Sequence, residues 1–192
     1  MEADWSVELG AGLPTIDVPW SGFADLSRLS RDEIASRVSE AAECPPLSAA
    51  LARLNAAGSP VLSSKCDTWS LDPSEIDRYE FDADPGSSAC GEGCYIDILA
   101  RDAQVFASFT LHELWVRAFA RALSAVPLRQ ARAEMVLRAA SLHGQAGFAV
   151  TLYVFGCGAD PAAARCAWAA ALEAAAAATI STIPIAESNA GE

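Results

Sequence analysis

The sequence has little positive charge: 13 Lys and Arg stand against 25 Asp and Glu, a formal net charge of −12 over 192 residues. A surface of that sign repels phosphate backbones and anionic headgroups, because too few cations are present to replace their counterions. Nucleic acid and membrane are therefore not expected partners. Histidine is scarce, with only His112 and His143, so any imidazole chemistry must use one of these two. No apolar run has membrane-spanning length, since the alanine-rich stretch near the C-terminus is interrupted by Arg165 and Glu173. The opening Met1-Glu2-Ala3-Asp4 has neither the basic nor the apolar region of an export signal, which points to a cytoplasmic chain with its six cysteines mostly reduced. Internal repeats and complete catalytic motifs are also missing.

With 52% hydrophobic residues, the chain can build one full core without disulfides or metal. Its centre is the stretch 94–101, where Ile96, Ile98 and Ala100 alternate with Tyr95, Asp97, Leu99 and Arg101 as in a strand. Over residues 103–126 the period changes, and Val105, Phe106, Phe109, Val116, Phe119 and Leu123 mark the buried stripe of a helix capped by Asp102. Before this unit, residues 1–29 form an apolar arm rich in proline and glycine, expected to lie on its own domain or on a partner subunit. Ser30 and Glu33 have capping-box spacing for a helix over 31–42, and Leu47, Leu51 and Leu54 open a second. Residues 60–71 read as extended, and the acidic stretch 72–93 reads as a surface insertion with a short strand at 79–81. Its carboxylates lack the alternating spacing and terminal glutamate of a calcium loop. After the central helix, residues 132–141 and 148–155 form a hairpin, and Asp160-Pro161 starts a helix that runs to about residue 180. A mobile tail is expected over 184–192.

The expected fold is thus α+β: a single domain over 30–183 with an antiparallel sheet, helices packed mainly on one side, and the order α-β-β-β-α-β-β-α. That order, with the size and acidity, is similar to the small acidic chaperones of bacterial type III secretion and their chaperone-like relatives. The resemblance covers element order alone and implies a homodimer that binds peptide segments.

The candidate chemistry is fragmentary. The run Gly156-Cys157-Gly158 before Asp160-Pro161 begins like a dinucleotide fingerprint, but Pro161 replaces the third glycine and Asp160 puts a negative charge where a pyrophosphate would sit. The glycines are then expected to make a tight strand-to-helix turn. Cys157 itself, before a helix N-terminus, is a candidate nucleophile if a base reaches it, and His112 is the other candidate catalytic residue. His112-Glu113 supplies half of the zinc-protease motif, with Val116 where the second histidine belongs. Cys90 and Cys94 have C-x₃-C spacing, and with Cys66 and either His143 or Cys157 they form a candidate zinc or iron site.

Two functions follow. The first is a non-enzymatic binding or accessory protein, chaperone-like and homodimeric, without a cofactor, that recognises a protein or peptide segment through an apolar sheet face carrying Trp69, Tyr95, Leu99, Tyr153 and Phe155. The alternative is a cysteine-centred metal-binding or redox protein, possibly an enzyme.

Overall fold

A computed structural model describes residues 1–10, 12, 14–20, 25–83 and 89–184. In chain order the elements are β1 (Glu2–Glu8), β2 (Ile16–Val18), α1 (Arg31–Arg37), α2 (Ser39–Glu43), α3 (Pro45–Leu54), β3 (Val61–Leu71), β4 (Cys90–Ala100), α4 (Ala103–Ala107), α5 (Phe109–Ser124), β5 (Ala131–Leu142), β6 (Gln145–Gly158) and α6 (Pro161–Thr182). The described strands form one sheet of six, ordered β1-β5-β6-β4-β3, with β2 also pairing with β5. Among the described residues no helix is long and apolar enough to cross a membrane.

The hairpin of β5 and β6 turns at His143 and Gly144, whose φ angles of 51° and 82° give a turn that follows the twist of the two strands. From it β4 and β3 continue outward, each antiparallel to its neighbour. On the other side of β5 the pairing changes direction. Glu2 to Glu8 run parallel to Arg132 to Arg138, and Ile16 to Val18 run parallel to Ala140 to Leu142. The sheet is therefore mixed, not purely antiparallel. The arm belongs to the sheet, because Ala3, Trp5 and Val7 alternate with Glu2, Asp4, Ser6 and Glu8, and this period-two pattern suits a strand with one covered face.

Other expectations also change. The order opens with two strands, so the likeness to type III secretion chaperones loses the element order that carried it. Residues 79–82 form turns instead of a strand, and β4 starts at Cys90 inside the supposed loop. The central helix is broken at Ser108, whose hydroxyl caps α5 by accepting from Leu111 N, while Asp102 caps α4 as expected. Leu13, Phe23, Asp84 and most of the tail lie outside the described residues.

Alternation sorts the sheet into two faces. Cys94, Ile96 and Ile98 of β4, Ala133 and Met135 of β5, and Val150, Leu152 and Val154 of β6 join Leu47, Leu51, Trp115, Phe119, Leu123, Trp168 and Leu172 in the main core. α6 lies directly on β6 because Gly156 and Gly158 have no side chain: a Cβ on either would strike the backbone of α6 at Trp168 or Ala164. These glycines therefore serve helix seating within a strand, not a strand-to-helix turn. Packing is not wholly one-sided. Val105 and Phe106 of α4 join Ile16, Val18, Leu62, Leu99 and Ala149 in a second cluster, and Phe106 lies over Gly147.

Two substitutions test this packing in urea unfolding. Phe119 is fully buried, so Phe119→Ala is expected to cost about 3–5 kcal/mol. Phe109 is only half-buried, and Phe109→Ala is expected to cost less than about 2 kcal/mol. Equal costs would contradict the assigned helix face.

Candidate binding surface

The second face of the sheet is a grid whose rows are set by register. One row runs Trp69, Gly93, Phe155, Arg132; the next Asp67, Tyr95, Tyr153, Glu134; the third Asp97, Thr151, Val136. Gly93 lets the first row close. A Cβ there would lie 2.9 Å from the Phe155 ring and 3.0 Å from Trp69, so the two rings lean together over bare backbone with centroids 6.0 Å apart, edge to face. Trp69 also meets Tyr95 at 6.4 Å, Tyr95 meets Tyr153 at 6.0 Å, and Tyr153 stacks on Phe155 at 6.3 Å. All four rings are half-buried. Leu99, expected beside them, is fully buried in the second cluster, because β2 and α4 cover that end of the face.

Below the rings sits Asp97, only 5% exposed, its carboxylate accepting from the Thr151 hydroxyl at 2.7 Å. Among the described residues it meets no cation at ion-pair distance. Burial raises its pKa, opposed by the Thr151 hydrogen bond and by the positive charges of Arg138 and Lys65. Burial, with Asp97 and Asp67, likewise raises the Tyr95 phenol, which keeps it a neutral hydroxyl. Arg132 is shared between Glu80 and Glu134, and Arg138 is paired with Glu8 at 2.7 Å. The patch is thus aromatic at its centre and acidic around it.

The cysteine and histidine candidates are dispersed. Cys90 and Cys94 lie on one face of β4, four residues and roughly 13 Å apart along a strand, too far to share an ion. Cys157 pairs opposite Gly91 and so points to the other face from Cys90. Cys66 and Cys94 are near neighbours in the main core, but burial pushes both thiols up to about 12, the range of inert structural cysteines. The Cys157 thiol is raised by burial to about 11. His143 is exposed at the hairpin tip, and with twelve residues of β6 between the tip and Cys157, roughly 40 Å of strand separates them. His112 is buried against Trp115 and Phe148, with Nδ1 3.0 Å from the Ser108 carbonyl and Nε2 without a partner. Burial lowers its pKa, and it packs at the hairpin end of β6, remote from Cys157. No group of three or more His, Cys, Asp or Glu among the described residues is arranged to hold a metal ion.

Sequence reasoning missed Gly93 and Asp97 as parts of this surface. The signal for Gly93 is the pair of aromatic residues that register places on either side of it. Asp97 was visible as a carboxylate in an apolar strand. Compared with known proteins, the chain matches no family model, no curated protein and no solved structure.

The buried carboxylate gives a pH signature. A raised folded-state pKa means that the contribution of Asp97 to stability is fully present below the ordinary carboxylate range and lost as pH rises through the folded value. Asp97→Asn keeps an acceptor for Thr151 and removes the buried charge. It is expected to raise the melting temperature at pH 7, with the gain shrinking towards acid pH. A variant less stable than the parent at every pH would show that the charge is compensated in the fold.

Proposed function

We propose that this chain is a non-enzymatic binding or accessory protein, chaperone-like in use, that holds an apolar segment of another polypeptide across its aromatic sheet face. The observation that carries the reading is the set of four touching, half-buried rings around Gly93, with the buried carboxylate of Asp97 in the same grid. Tyrosine and tryptophan combine large apolar area with a polar tip and few rotatable bonds, which is why they dominate binding energy at protein interfaces. Asp67, Asp97, Glu134, Glu80 and Glu8 outnumber Arg132, Arg138 and Lys65 around the rings, and both arginines are already paired with glutamates. This balance favours a segment with Lys or Arg among its apolar residues, set over the tyrosine rings. The homodimer expected from the sequence is the rival use of the same face.

Photo-cross-linking tests the reading. Benzoylphenylalanine in place of Tyr153, in the cells that produce the protein, is expected to give adducts with other polypeptides. Adding Trp69→Ser and Phe155→Ser should lower their yield at least about tenfold. The same probe at Glu173, exposed on α6, should give none. Adducts between two copies alone would establish the dimer instead, and the absence of adducts at Tyr153 would refute both uses.

A further inference from the structure

On the helical side, away from the aromatic face, a groove of about 870 Å³ is lined by Arg28, Arg53 and Arg101 above a floor that includes Leu29, Ile34 and Ala52. In a chain of 25 acids and 13 bases, a groove whose lining among the described residues holds three arginines and no carboxylate reverses the local charge. The guanidinium of Arg101 is held in place: Nε donates to the Val61 carbonyl at 2.8 Å and one terminal nitrogen reaches the Asn55 carbonyl at 3.5 Å. Neither Arg53 nor Arg101 meets a carboxylate at ion-pair distance among the described residues. The acids that reach lining residues are already engaged, Asp25 with Arg28 at 3.2 Å and Glu33 in the cap of α1 at Ser30.

Ala49, Ala52, Arg53 and Ala56 carry the groove along two turns of α3 and its end, roughly 10 Å of helix. Small side chains keep this floor shallow and open along its length, which suits a polypeptide better than an enclosed small molecule. Planar guanidinium groups on an apolar floor select carboxylates carried on an apolar backbone segment. We infer that this groove docks an acidic, apolar-studded segment of a partner protein, at a site separate from the sheet face and opposite to it in charge preference.

The test is fluorescence anisotropy of the full chain with a short labelled peptide repeating Glu-Leu-Leu-Glu, beside matched peptides with Gln or Lys in place of Glu. The glutamate peptide is expected to bind, more weakly at high salt, and the lysine peptide not to bind. The double substitution Arg28→Glu with Arg53→Glu should weaken binding at least about tenfold, or 1.4 kcal/mol, with an unchanged circular dichroism spectrum, since both side chains are exposed. Arg121→Glu, a charge reversal on α5, should change nothing. Equal binding of the glutamine peptide, indifference to the double substitution, or no binding would overturn the inference. So would displacement of the peptide by inorganic phosphate as readily as by unlabelled peptide, because the occupant would then be a small anion.

Discussion

Close contact between α6 and β6 is the constraint on which the rest of the structure depends. Gly156 and Gly158 let the helix backbone approach the strand, and Ala164, Ala171 and Ala175 keep the facing helix surface small. Close approach lets Trp168 enter the core and lets α6 support both α3 and α5. The alanine-rich composition of α6, which alone says little, follows from this requirement: a larger residue at these positions would lift the helix and open voids beneath it. Once these helices are committed to one face, the described residues that cover the opposite face are α4 and β2 at one end and the stretch around Ile76 and Glu80 at the other, beside Gly91 and Arg132, with the four rings between them.

That uneven division explains the character of the second face. Its aromatic rings shelter one another, each contact contributing about 0.5–1.5 kcal/mol beyond burial, and Asp97 is held by a neutral hydroxyl instead of a cation. The buried carboxylate costs stability, whereas the rings add to it. The neighbouring sheet edge is treated in the opposite way. Asp67 accepts from the Thr68 backbone N–H at 2.8 Å, so this edge of β3 offers one donor fewer to an incoming strand.

Much of the central architecture was legible in the sequence. The alternation around Ile96 and Ile98, the hairpin of β5 and β6, the Asp102 and Asp160 caps and the Ser30 and Glu33 capping box all arise from local periodicity and local hydrogen bonding. What was lost depended on distant partners. The strand Glu2–Glu8 carries a clean alternation, but its proline-rich sequel drew the whole arm into one irregular segment, and nothing local announces a parallel partner more than a hundred residues away. Cys90 and Gly91 read as loop because glycine favours turns, whereas in β4 the glycines make room for Leu71 and the rings of Trp69 and Phe155. Tyr95, Tyr153 and Phe155 were placed on the correct face by simple alternation. Leu99 obeyed the same alternation, but β2 and α4 cover that end.

The pairing of β1 with β5 also sets an order of events during synthesis. Trp5 lies opposite Met135, so β1 has no partner in this sheet until β5, about 130 residues further along, has been made. Until then its apolar side is open to any sheet or chaperone it meets, and closing so long a loop adds an entropic cost that only the finished hairpin can offset. Among the described strands the β5–β6 hairpin thus closes the shortest loop of the sheet and the β1–β5 pairing the longest.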